Sequence, residues 1–157
     1  MDETDIFRAV RRGKRDVYEA NISHFDINIR AEDGQSLLHK AVANAQTEIA
    51  LDLLERSIDV NIADKNGQTA LHYIGFYPNV DLARRILESG GKLEIKDSHG
   101  NTALWYAVFN ARGKYELVAL FIKHGADPSS KNNSGRSPYD FALQIKDEHL
   151  KKLLGGQ

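Results

Sequence analysis

The sequence predicts an all-α repeat solenoid, a stack of helix–loop–helix units from which short β-turns or hairpins project. Three observations carry this. Glycines fall at positions 34, 67, 100 and 135, a spacing of 33, 33 and then 35 residues. A phrase travels with them: Asp64-Lys65-Asn66-Gly67-Gln68-Thr69-Ala70-Leu71-His72 returns as Asp97-Ser98-His99-Gly100-Asn101-Thr102-Ala103-Leu104-Trp105. A looser copy, Asp33-Gly34-Gln35-Ser36-Leu37-Leu38-His39, precedes it, and a degenerate one, Ser134-Gly135-Arg136-Ser137-Pro138-Tyr139-Asp140, follows. Two apolar runs at helical spacing fill the interval after each phrase. Units of this length cannot bury an apolar face alone, so they stack and share one core.

The chain opens with Ile6 to Gly13, then Val17 and Tyr18, which read as a helix pair without a leading turn, closed by His24-Phe25-Asp26-Ile27-Asn28. The first full unit has Leu38, Ala41 and Val42 on one helix face and Ile49, Leu53 and Leu54 on the next. In the second, Gly67 supplies the positive φ of a tight turn and Thr69 is placed to cap the helix that carries Leu71 and Ile74. Pro78-Asn79 breaks that helix, Val80, Ala83, Ile86 and Leu87 space the next, and Gly90-Gly91 ends it. The third unit follows with Leu104, Ala107 and Val108, then Leu117, Val118, Leu120, Phe121 and Ile122. Its two extra residues fall within Ala111 to Tyr115 and are expected to form a surface bulge. Tyr139, Ala142 and Leu143, then Leu150, Leu153 and Leu154, give a last pair that stops at Gly155-Gly156. The expected organisation is a single domain over 1–157, with an N-cap at 1–31, repeats at about 32–63, 64–96 and 97–131, and a C-cap at 132–157.

The period, the phrase and the intervening Gly125-Ala126-Asp127 resemble the ankyrin repeat, over about residues 5 to 155. The departures are local. The phrase's proline survives only as Pro138, Ile74 is bulkier than the usual alanine, and Trp105 and Asp140 stand where histidine is usual. The resemblance implies a scaffold that holds a protein partner and carries no chemistry of its own.

Bulk composition excludes several other classes. A net charge of −1 gives no global field for nucleic acid or anionic lipid. With no cysteine there is no disulfide, thiolate metal site or thiol catalysis. The acidic start, Met1 to Asp5, is not a secretory signal, and no run reaches the ~18 apolar residues that span a bilayer. A soluble, cytoplasmic monomer with no cofactor is expected.

Candidate chemistry reads as structure. His39 and His72 share one slot of successive units, without carboxylate partners or short ligand spacing, so a turn network accounts for them better than a metal. The serines and acids lie in turns, where capping explains them; no nucleophile elbow, P-loop or dinucleotide fingerprint is present, so no enzyme is expected. The cluster from Arg8 to Arg15 follows Asp2, Glu3 and Asp5 on one helix, an order the helix dipole favours, and reads as a solvated cap whose anionic partner, if any, is a protein.

The aromatic residues stand out. Tyr73, Phe76 and Tyr77 sit at i, i+3 and i+4 near the end of one first helix, and Tyr106, Phe109 and Asn110 hold the equivalent slots of the next. In the ankyrin family these slots line the concave groove and the turn tips flank it. The expected partner-binding residues are therefore Tyr73, Phe76, Tyr77, Tyr106, Phe109 and Asn110, with Lys65, Asn66, Ser98 and His99 at the tips. Tyr73 and Tyr106 read equally well as core. One concrete role for such a module is a bacterial immunity or inhibitor protein that blocks a cognate toxin or enzyme. The alternative is a eukaryotic-type regulatory protein that inhibits a kinase or transcription factor.

Overall fold

The computed structural model describes residues 1–155; Gly156, expected to end the last helix together with Gly155, lies outside them. Ten α-helices occur among the described residues: α1 (Glu3–Arg11), α2 (Arg15–Asn21), α3 (Leu37–Ala43), α4 (Thr47–Glu55), α5 (Ala70–Phe76), α6 (Val80–Glu88), α7 (Ala103–Phe109), α8 (Glu116–Lys123), α9 (Pro138–Gln144) and α10 (Glu148–Gly155). Each odd-numbered helix packs against the even one that follows it. The odd helices also pack on one another in chain order, as do α4, α6, α8 and α10. The result is two parallel rows of helices, with one continuous core between them from Ile6 to Leu154. Among the described residues no helix is long and apolar enough to cross a membrane.

The helices start where the phrase says they should. Ser36, Thr69 and Ser137 are N-caps with extended backbone, each in a capping box closed by the residue three positions on: His39, His72 and Asp140. Histidine therefore plays the part usually taken by glutamate. The Ser36 amide donates to His39 Nδ1 at 2.9 Å, so the ring is neutral and its Nε2 donates to the Gln68 carbonyl of the next turn at 2.8 Å. His72 does the same between the Thr69 amide and the Asn101 carbonyl, at 3.0 Å each. Both rings are buried, and burial holds their pKa below the ordinary value despite the accepting carbonyls. Trp105 cannot close such a box, and Thr102 makes no side-chain cap.

Strand structure is confined to one isolated bridge, Arg30 to Ser36, among the described residues. The projecting turns are instead joined crosswise. Lys65 N–H donates to the Asp33 carbonyl at 3.0 Å, Ser98 to Asn66 at 2.9 Å, and Asn133 to His99 at 3.0 Å. This ladder of one rung per unit explains the invariant glycine of the phrase. A Cβ on Gly67 would lie 3.1 Å from Asp97 Cα, and one on Gly100 only 2.8 Å from the Asn133 nitrogen, in addition to the positive φ at both. A Cβ on Gly135, the last of the four, would meet nothing within 4 Å among the described residues.

Leu71 and Leu104, expected between adjacent units, are buried to 1% and 0% exposure. The Ala111–Tyr115 loop is a bulge, as expected: Arg112, Gly113 and Lys114 are exposed, with φ of +48° at Arg112 and +83° at Gly113. Ala111 turns inward, at 6% exposure, and Tyr115 packs against the core and donates to Asp147 at 2.8 Å.

Candidate protein-binding face

The odd-helix row and its ends carry the exposed aromatic residues. Phe76 is the last residue of α5 and Phe109 the last of α7, the same slot one unit apart, and they are 43% and 53% exposed. Tyr77, just past α5, is 50% exposed. A large apolar side chain left in water at the end of a well-packed helix does nothing for the core. The structure thus leaves Phe76, Tyr77 and Phe109 available, as expected. At the turn tips Lys65, Asn66, Ser98 and His99 are also exposed.

Three expected contact residues have other employment. Tyr106 is only 8% exposed, and its hydroxyl donates to the buried Asp97 carboxylate. Asp97 also accepts from the His99 and Asn101 amides, both at 2.9 Å, and from Gln68 Nε2 at 3.0 Å. Burial pushes this carboxyl up in pKa, but the hydrogen bonds from Tyr106, Gln68 and the turn amides outweigh it and hold it below the ordinary value. Tyr106 is raised in turn, first by burial and then by Asp97. Tyr106 is thus corrected from surface contact to structural post: it pins its own turn and supports Phe76, whose ring lies 4.5 Å from its own. Tyr73 is half-buried and donates to Asp64 at 2.6 Å, the same pairing one unit earlier. Asn110 spends its side-chain amide on the Gly75 carbonyl of α5 at 3.1 Å and on the Tyr106 carbonyl at 3.0 Å, so it ties neighbouring helices rather than facing outward.

The expected aromatics have different neighbours. Tyr77 and Phe76 line a notch of about 360 Å3 with Val42, Pro78 and Leu82, between the loops that join α3 to α4 and α5 to α6. Phe109 lies on a shelf shared with α9. Its ring lies 5.2 Å from Phe141 on α9, Phe141 lies 5.8 Å from Trp105, and the Arg136 guanidinium sits over both at 5.8 and 6.0 Å. Sequence reasoning did not select Phe141, Trp105 or Arg136. The signal was present: Phe141 occupies the slot of Tyr73 and Tyr106 once the spacing of 35 is applied.

A shape made of stacked helix pairs, a rung-linked row of turns and histidine-closed caps defines a repeat scaffold. The family model for ankyrin repeats (3 copies) matches residues 6–97 and 53–132. The chain belongs to the ankyrin-repeat family, whose members mediate protein–protein interaction and are typically non-enzymatic. No curated protein matches the chain.

Proposed function

We propose that this protein binds a protein partner along the odd-helix row and the turn tips of its second and third full repeats, and acts by covering the partner's functional surface. The observation that carries this is the exposed pair Phe76 and Phe109, one slot repeated on adjacent helices that the core does not need. Tyr77 adds to it, and Lys65, Asn66, Ser98 and His99 supply a polar rim. Tyr73, Tyr106 and Asn110 hold this surface from beneath. In its sharper form the reading is of an inhibitor, a bacterial immunity protein for a cognate toxin or enzyme, working as a non-catalytic monomer in the cytoplasm.

The test is capture of the partner from the native host, followed by titration with Phe76→Ala, Tyr77→Ala and Phe109→Ala proteins. At least one of the three should lose about 2 kcal/mol of affinity, the usual mark of an anchor, with its melting temperature unchanged. Affinity retained in all three moves the site off this face. A partner whose activity survives complex formation turns occlusion into scaffolding.

A further inference from the structure

A groove of about 820 Å3 opens between α1, the turn before α3, and the tip at Lys65. Its lining brings together five cations from well-separated parts of the chain: Arg8, Arg11, Arg30, Lys40 and Lys65. Three carboxylates share it, Glu3, Glu32 and Asp33, so a chain of net charge −1 concentrates positive charge here. Asp33 is taken by Lys40 at 3.2 Å, and Arg8 pairs with Asp5 at 2.8 Å. Arg30 reaches only a backbone carbonyl, that of Ala63. Arg11 and Lys65 are exposed and have no carboxylate within ion-pair distance among the described residues.

The same side of the stack changes character along its length. The exposed side chains of the odd-helix row and its turns change from the cations Arg11 and Lys65 to the aromatics Phe76, Tyr77 and Phe109. We infer that the groove seats a carboxylate-rich segment of the protein partner, which runs on toward the Phe109–Phe141 shelf, acidic near α1 and apolar near α9. This rests on the reading that the partner lies along the odd-helix row. Exposed cations of this kind steer an anionic segment and fix its register, an effect that falls with salt. Glu3 and Glu32 favour a peptide, whose carboxylates can be placed to avoid them, over a polyanion with a charge at every step.

Fluorescein-labelled octaglutamate, titrated by anisotropy at low ionic strength, isolates the groove from the aromatic shelf. Saturable binding is expected, weakened at least tenfold by Arg11→Glu and by Lys65→Glu and unchanged by Phe109→Ala. Melts confirm folding of each variant. Should a reversal disturb the fold, Arg11→Gln and Lys65→Gln replace it, with amide shifts on titration expected at Arg11, Lys40 and Lys65. Absence of binding, binding that survives both reversals, shifts elsewhere, or tighter binding of octathymidylate overturns the inference. The aromatic reading fails separately, on the captured partner with Phe76→Ala, Tyr77→Ala and Phe109→Ala.

Discussion

The junction of α3 with α5 and that of α5 with α7 are built from the same slots, yet the second closes further. Where α5 carries Gly75, α3 carries Val42. A Cβ on Gly75 would lie 2.6 Å from Tyr106 Cβ and 3.1 Å from the Ala107 nitrogen, so only glycine lets α7 come this near. Across the tighter junction Gln68 reaches Asp97 at 3.0 Å, and Asn110 reaches the Gly75 carbonyl. In the looser one, Gln35 turns back to Asp33 in its own turn at 2.9 Å, and Tyr77, in the slot of Asn110, has no side-chain amide to reach α3. Asp97 ends 7% exposed, while its counterpart Asp64 is only half-buried. One missing side chain thus goes with a closer approach of two helices, across which Gln68 and Asn110 bond between units.

The largest effect should come from the shared core. Leu104→Ala or Leu71→Ala should cost about 2–5 kcal/mol, read as a lowered denaturant midpoint; a wild-type midpoint for Leu104→Ala would mean the units are stacked in another register. Gly75→Ala separates the two junctions. In a helix interior the change normally gains about 1 kcal/mol, but here overpacking should cost about 1–3 kcal/mol. A stabilised Gly75→Ala protein would erase the distinction drawn above. Asp97→Ala should follow at about 1–3 kcal/mol, because Tyr106, Gln68 and two amides lose a buried acceptor. Asp64→Ala should cost less, and equal losses would show that depth of burial is immaterial.

Much of this was legible in the sequence, and the boundary is physical. The period and phrase placed the helices because capping and turn chemistry are local: Thr69, Gly67 and Pro78 act within a few residues of themselves. The exposure of Phe76, Tyr77 and Phe109 followed from their slots. The fate of Tyr106 did not, since a tyrosine at that slot is surface or core according to whether a carboxylate nine residues earlier is buried beside it. The recurrence of Asp64 with Tyr73 and of Asp97 with Tyr106 was the available clue. The groove of Arg11 and Lys65 was hidden because its walls come from segments that only stacking brings together.

Acid should loosen the histidine-linked caps. His39 and His72 have pKa values held below the ordinary 6.5, so the folded chain resists protons that the unfolded chain accepts. Their contribution is full above about pH 6.5 and is lost as pH falls through the lowered folded values, ahead of the carboxylate loss below the ordinary 3.8 of Asp97. Melts from about pH 7 to about pH 5 should show falling stability, with a shallower fall in His72→Gln. The smallest effect belongs to the bulge: deleting Arg112 and Gly113 should change stability by less than about 1 kcal/mol, measured by urea unfolding, and a collapse of the fold would show that the loop's exposed residues are part of its packing.

The row of turns gives the molecule a chemical head and tail. Every rung runs from the N–H of a later turn to the carbonyl of an earlier one. The sequence of rungs therefore begins with the Glu32 N–H at one end and finishes with the Ser134 carbonyl at the other, neither with a partner among the described residues. A strand edge offers donors and acceptors alternately and can pair with its own kind. This edge cannot: two tails would bring acceptor to acceptor, and two heads donor to donor. Any extension of the row must be polar, tail to head, so a symmetric twofold pair of these molecules has to be built on some other surface.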